Sequence, residues 1–106
     1  MFHTVRIVET HPFSSQQFAL KVRAEMQDGG MLQIRLYRNF SHLDYAYQFI
    51  EHDQMILRWD NKEHFPLLDT NPHHFHFGSG VESSPLKGDP LYDLPVVLDY
   101  LKSLQP

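Results

Sequence analysis

The sequence predicts an α+β domain in which an antiparallel β-meander of about four strands is followed by a histidine- and proline-rich loop and a C-terminal helix packed on the sheet. Three observations predict it: residues 18–59 alternate apolar with polar side chains, residues 60–90 are polar and interrupted by Pro and Gly, and residues 94–104 repeat apolar side chains at helical spacing. A chain of 106 residues with 42% hydrophobic content can close one core, so we expect a single domain.

The two-residue alternation of half-buried strands occurs in four segments, 18–27, 31–38, 43–50 and 55–59. The sequence Asp28-Gly29-Gly30 predicts a hairpin turn between the first two, because glycine accepts a positive φ. Residues 4–9 also alternate and could pair at an edge. The side chains expected to face the core are Phe18, Leu20, Val22, Ala24, Met26, Leu32, Ile34, Leu36, Leu43, Tyr45, Tyr47, Phe49, Met55, Leu57 and Trp59.

The predicted helix lies near the end of the chain. Its apolar face consists of Leu94, Val97, Leu98, Leu101 and Leu104, which recur at intervals of three and four residues. Asp89 or Asp93 can cap its start. Since proline is best tolerated in the first turn, Pro95 favours the later cap, Asp93. We expect the helix to cover the apolar face of the sheet.

Composition limits the classes of function. The formal net charge of −4 argues against a protein that coats nucleic acid by bulk charge, although a local basic face is still allowed. There is no cysteine, and no apolar run of 18 residues, signal segment or lipidation motif is evident. We therefore expect a cytoplasmic protein that does not enter a membrane. A sheet with an uncovered face would gain from a second copy, so a homodimer is also considered.

The most unusual segment spans residues 59–76 and carries four of the eight histidines. It begins with Trp59-Asp60-Asn61, continues with His64-Phe65-Pro66, and ends with Pro72-His73-His74-Phe75-His76. This order resembles the TumE family, toxin components of bacterial and archaeal type II toxin–antitoxin pairs. Further along, Val81, Ser84, Leu94, Val97 and Leu98 fit the family's tail, so the resemblance covers about the whole chain as one TumE-like domain, residues 1–106. Many relatives carry a basic residue where this chain has Phe75.

The resemblance implies a growth-inhibiting protein that is neutralised by a cognate antitoxin encoded beside it, often one with a helix-turn-helix. RNA cleavage is the commonest action of small β-sheet toxins, and we expect it for this protein by analogy with that class. One alternative is a small metal-binding protein whose His/Asp loop closes around an ion. The other is a non-catalytic protein-binding module that engages an antitoxin or a second copy of itself. In that case the histidines would serve only to organise the loop.

The histidines and Asp60 are the candidate catalytic residues. A metal-independent ribonuclease needs a base for the 2′-hydroxyl, an acid for the leaving oxygen and a cation for the phosphate charge, which histidine and arginine can supply. His73 and His76 could reach the same side of a turn or short helical piece, with His74 pointing elsewhere and His64 approaching from the other arm of the loop. Asp60 could then orient one imidazole. No cofactor is predicted; if a metal ion is bound, the ligands would be His64, His73, His76 and Asp60.

A second candidate site lies on the outward face of the meander. Lys21, Arg23, Arg35 and Arg58 have the strand parity opposite to the apolar side chains, and Tyr37 lies beside them. A basic sheet face that bears an aromatic side chain can hold phosphates and stack bases. Solvated strand faces are also commonly charged without binding anything. We therefore predict that these four cations bind RNA or phosphate, and we expect other candidate site residues beside them if this is correct.

Overall fold

The computed structural model describes residues 2–14, 16–26, 29–62 and 67–104. Within them one antiparallel sheet has its strands in chain order and is followed by a helix. The strands are β1 (Phe2–Ser14), β2 (Gln17–Met26), β3 (Gly30–Asn39), β4 (His42–Glu51), β5 (Gln54–Asp60), β6 (His74–Phe77) and β7 (Gly80–Ser83), and the helix is α1 (Pro90–Ser103). The predicted α+β class and the C-terminal helix are confirmed.

The prediction of about four strands was too low, because the described residues form seven. Segments 18–27, 31–38, 43–50 and 55–59 correspond to β2, β3, β4 and β5, and segment 4–9 lies within β1. The predicted loop, by contrast, contains the hairpin of β6 and β7. Each of these strands has four residues, and β6 is held by pairing with β5 rather than by a strong local pattern.

The core lies between the sheet and α1. Tyr47, Leu57 and Trp59 are buried from the sheet side, and Val97 and Leu101 from the helix side. The inward parity is confirmed for β4 and most of β5, but it was wrong for Met55, which is 43% exposed. A register shift between the Phe49 and Ile50 pairs reverses the parity there, so Ile56 packs against the core instead.

The start of α1 was predicted incorrectly. Asp89 is the N-cap, its side chain accepts a hydrogen bond from the Leu91 N–H, and Pro90 occupies the first turn. Asp93 is fully buried within the helix, where its carboxylate accepts the backbone N–H groups of Lys87 and Gly88, both at 2.8 Å. The carboxylate therefore ties the preceding loop to the helix instead of capping it.

The apolar face of α1 was predicted correctly except at its end. Val97 and Leu101 are buried, Leu94 and Leu98 pack against the core, and Leu104 at the C-cap is half exposed. Tyr100 adds edge-on ring contacts to Trp59 and Phe75, with centroid distances of 5.5 and 5.4 Å. The helix thus covers the side of the sheet formed by β4, β5 and β6.

Two neighbouring tyrosines differ in how their hydroxyls are satisfied. The Tyr45 hydroxyl is 2.9 Å from His73 Nδ1, whereas the Tyr47 hydroxyl is buried and has no hydrogen-bond partner among the described residues. We expect Tyr47→Phe to raise the free energy of unfolding by about 1 kcal/mol, since it removes an unsatisfied group. Tyr45→Phe should lower it by about 1 kcal/mol, because it breaks a hydrogen bond. Urea unfolding of both variants measures the difference, and a destabilising Tyr47→Phe would contradict the assignment.

Candidate functional site

The polar side chains on the face opposite α1 are aligned in two rows by the strand register. Across β2 to β6, one row runs through Lys21, Arg35, Ala46, Asp60 and His74. Opposed residues in antiparallel strands project from the same face of the sheet. The adjacent row runs through Arg23, Gln33, Gln48, Arg58 and His76. The register therefore brings the predicted cations and part of the histidine segment onto one surface.

The buried carboxylate of Asp60 is the centre of this surface. Its Oδ2 accepts a hydrogen bond from Arg58 Nε at 2.6 Å. Its Oδ1 lies 2.6 Å from His74 Nε2 and accepts the Lys62 N–H at 3.1 Å. These contacts offset the cost of burying a charge. The other ring nitrogen of His74, Nδ1, lies 3.1 Å from the Pro72 carbonyl oxygen, so His74 is held at both ends and fixes the carboxylate.

His76 is the more accessible histidine of this cluster. Its Nε2 lies 3.8 Å from Asp60 Oδ2, and about a quarter of its side chain is exposed. Burial lowers the pKa of His76, and nearby His74 and Arg58 lower it further, while Asp60 opposes them. A neutral imidazole beside an arginine is a suitable proton acceptor at neutral pH.

His73 lies apart from Asp60 and His76. Its ring stacks on that of Tyr45, a side chain of the core face, with a centroid distance of 5.8 Å. Burial lowers the pKa of His73, with Asp93 acting in the opposite direction. The prediction that His73 and His76 share a side was wrong, because residues 74–77 form a strand and not a turn. In a strand, residues two apart share a face, so His74 takes the place expected for His73.

The last predicted catalytic residue, His64, lies outside the described residues. Of the predicted metal ligands, His73 is not grouped with Asp60. Candidate ligand atoms of Asp60, His74 and His76 lie within 4.8 Å of one another, which is a set that could hold a divalent cation. The contacts of Asp60 with His74 at 2.6 Å and with His76 at 3.8 Å already account for the clustering of these three groups.

A groove of about 850 Å³ lies on the same face. Ala46 lies in its lining between longer side chains, and the small size of alanine leaves space beside Asp60. The cations Lys21, Arg35, Arg58 and Lys62 line this groove, together with Tyr37, and Asp44 is the acidic residue of the lining. Asp44 is engaged by His42 at 2.9 Å. The groove is therefore electropositive and suited to an anionic ligand. Arg23 lies beside the groove, where its Nε donates to Gln33 Oε1 at 3.1 Å.

Two residues of the motif have structural contacts that sequence analysis did not predict. The side chain of Asn61 accepts the Tyr45 N–H at 3.1 Å and donates to the Leu43 carbonyl at 2.6 Å, which extends the pairing beyond β5. Thr70 Oγ1 donates to the His73 carbonyl at 2.7 Å and accepts the Ser84 N–H at 3.0 Å. The alternation of residues 74–77 was the sequence signal that could have predicted that His74 and His76 share a face, although not that His74 pairs with Asp60.

Both lowered histidine pKa values predict a dependence of stability on pH. The folded chain favours the neutral forms of His73 and His76. Their contribution to the free energy of unfolding is therefore fully present above pH 6.5, the ordinary pKa of histidine, and is lost as pH falls through the lowered pKa values. We expect the melting temperature to fall between about pH 7.5 and pH 5. A His73→Gln/His76→Gln double variant should show a shallower fall. An unchanged slope would contradict this attribution.

Among the described residues, α1 is too short and too polar to span a membrane. No curated protein and no solved structure matches the chain. The family model described as "Toxin TumE" matches residues 2–105, which is nearly the whole chain and includes both rows of the polar face. This chain is therefore a member of the TumE family of toxins.

Proposed function

We propose that this toxin binds and cleaves RNA at its electropositive groove and that a cognate antitoxin neutralises it. The observation that carries the proposal is the groove itself, which is lined by Lys21, Arg35, Arg58 and Lys62. Arg58 connects the groove to Asp60, which it contacts, and to His76, its partner on β6. Phosphate contacts by Lys and Arg supply most of the affinity for nucleic acid, and they work locally even on an acidic chain. Arg23, in the row beside the groove, would extend the phosphate-binding surface.

The proposed reaction is metal-independent phosphodiester transfer. His76 takes the proton of the ribose 2′-hydroxyl, the 2′-oxygen attacks phosphorus, and the bond from phosphorus to the 5′-oxygen breaks. Arg58 stabilises the charge that develops on the phosphate oxygens. His64 is proposed as the acid that protonates the leaving 5′-oxygen. The products are a 2′,3′-cyclic phosphate and a 5′-hydroxyl. Asp60 and His74 act as positioning residues, because both are buried and hold Arg58 and His76 in place.

The affinity of the groove should depend on its central cations. Replacing Arg35 by glutamate changes the local charge by two without touching Asp60 or its partners, so RNA binding should weaken and the salt dependence should decrease. Fluorescence anisotropy with a labelled single-stranded RNA measures both. Lys102→Glu, an exposed substitution at the end of α1, is the matched control.

The activity itself is tested by induction in a growing culture, comparing the wild type with His76→Gln and with His52→Gln, an exposed turn histidine that serves as control. We expect growth arrest and loss of intact RNA with the wild type and the control only, at equal soluble levels. Co-expression of the product of the adjacent gene, often a helix-turn-helix protein in this family, should restore growth. Purified toxin should form cyclic phosphate ends in the presence of a chelator. If purified wild type leaves RNA intact, the cleavage proposal fails.

A further inference from the structure

The apolar face of the sheet extends further than α1 covers it. One row on this face runs from Phe75 and Trp59 through Tyr47 and Ile34 to Val22 on β2 and Ile7 on β1. Trp59 and Tyr47 are buried, Ile34 and Val22 are half buried, and Ile7 is 66% exposed. Val5, which faces Ala24 in the next row, is 63% exposed. Burial therefore falls gradually toward β1 in the first row, whereas in the next row Leu32 and Ala24 are still buried and only Val5 is exposed.

The uncovered part of this face is apolar around Val22. Val5, Ile7, Leu20, Val22, Ile34 and Leu36 form it, and each is apolar. Most cations of the same strands, Arg6, Lys21, Arg23 and Arg35, alternate with these residues and project from the opposite face. Arg38 is the exception: it lies at the end of β3 opposite Phe18, where its Nε donates to the Phe40 carbonyl at 3.1 Å. A second copy could therefore be stacked on this surface without bringing like charges together. An acidic or basic partner, in contrast, would find no opposite charge on it.

The surface area of the chain also indicates a missing partner. The accessible area is 6892 Å², whereas a compact monomer of 12.5 kDa exposes about 6,200 Å². The excess of about 700 Å² is summed over the whole chain, and it has the size of the roughly 800 Å² that one partner contributes to an interface of standard size. Exposed contiguous apolar patches of this kind are typical of protein–protein contacts.

The shape of the molecule is compatible with a protein–protein contact at this face. The helix α1 lies over β4–β6, and Ala24, Met26 and Leu32 of β2 and β3 also belong to the core. The uncovered part is therefore the β1 edge of the face together with the half-buried residues beside it, such as Val22 and Ile34. Packed sheets are about 10 Å apart, which is close to the diameter of a helix with its side chains. The same edge of a second copy would thus fill the layer beside α1. We propose that the toxin is a two-fold homodimer whose copies stack through this face, with Ile7 and Val22 at the centre of the contact.

The arrangement leaves both grooves accessible. The groove and the Asp60 cluster lie on the face opposite α1, so in such a dimer they point outward on opposite sides. Dimerisation and RNA binding would then be independent. The dimer contact lies on a different face from the groove and does not depend on whether RNA is cut.

Light scattering coupled to gel filtration tests the oligomeric state over a concentration series. We expect a mass twice the 12.5 kDa of the monomer for the wild type. Ile7→Asp places a charge in the contact and should raise the dissociation constant by at least about 100-fold. Leu91→Asp is the matched control, because Leu91 is 89% exposed on α1 and outside this face. Circular dichroism and thermal unfolding verify that both variants fold.

Thiol labelling provides a second measurement that does not depend on a disruptive substitution. The chain has no cysteine, so Ile7→Cys and Leu91→Cys each carry a unique thiol. With increasing protein concentration, maleimide labelling of Ile7→Cys should slow by at least about tenfold as dimer forms, because a buried thiol is shielded from the reagent. Labelling of Leu91→Cys should not change.

Three kinds of result would overturn the proposal. The first is a wild type that stays monomeric throughout the series, even if a helix of another protein is then found on this face. The second is a dimer that persists with Ile7→Asp. The third is a dimer that is lost equally with Leu91→Asp, or in which the Ile7→Cys thiol labels at the monomer rate, since either would place the contact elsewhere.

Discussion

Replacing Asp60 by alanine is expected to lower the free energy of unfolding by about 3–5 kcal/mol, the cost of removing one partner from a buried ion pair. The carboxylate is nearly inaccessible and bonds to Arg58 and His74, each at 2.6 Å. Without it, the Arg58 guanidinium and the buried His74 ring lose their acceptor in a position that water reaches poorly. The Lys62 N–H also loses its partner. The loss should be visible as a lower midpoint in urea at an unchanged slope.

Asp44→Ala is the matched control for this prediction. Asp44, on β4, also lies on the polar face of the sheet and contacts His42 at 2.9 Å, but both side chains of that pair are more than half exposed. A solvent-exposed ion pair contributes about 0–1 kcal/mol, so this variant should unfold close to the wild type. Equal losses for the two variants would show that burial does not distinguish the two carboxylates. A stable Asp60→Ala would show that Arg58 and His74 find other partners.

His76→Ala is expected to reduce RNA cleavage by about 10²–10⁴-fold while leaving the fold intact, because it removes the proposed general base from a partly exposed position. His73→Ala should have the opposite profile. It removes the contact with the Tyr45 hydroxyl and the stacking on the Tyr45 ring, so stability should fall by about 1–2 kcal/mol while cleavage per folded molecule is retained. Cleavage of a labelled single-stranded RNA and thermal unfolding are measured on the same preparations.

The informative comparison is how much cleavage and how much stability each of the two histidine variants loses. If the two variants lose cleavage equally at full stability, His73 takes part in the chemistry and its position beside Tyr45 changes when RNA binds. If neither loses cleavage, the base lies elsewhere, and His64 is then the next residue to replace. The acidic limb of the pH–rate profile should disappear in His76→Ala if a residual rate can be measured, since the neutral imidazole is the active form.

The two faces of the sheet separate the tasks of this toxin. One face carries the core, α1 and the uncovered apolar surface, and the other carries the cations, Asp60 and His76. A strand alternates its side chains between the faces, so every strand from β2 to β5 contributes to both. Stability and the proposed chemistry can therefore be changed separately at most positions by choosing the parity of the substituted residue, with buried Asp60 as the exception because it serves both.

The sequence by itself determined the α+β class, four of the strands, the apolar face of the helix and membership of the TumE family. These depend on local patterns: alternation at Leu32 or Tyr47 is set by the pleat of one strand, and the spacing of Leu94, Val97 and Leu101 by the turn of one helix. The motif from Trp59 to His76 was recognisable because its residue types and order are unusual. The parity of Lys21, Arg35 and Arg58 likewise followed from single strands.

Only the tertiary structure decided which histidine joins Asp60, where α1 begins and how far the helix covers the sheet. His74 meets Asp60 because β6 pairs with β5 in one register, and a shift by a single residue would have brought His73 or Phe75 there instead. The cap moved from Asp93 to Asp89 because the Asp93 carboxylate bonds to the N–H groups of Lys87 and Gly88. These features depend on contacts between different segments of the chain, and the pattern within any one segment does not predict such contacts.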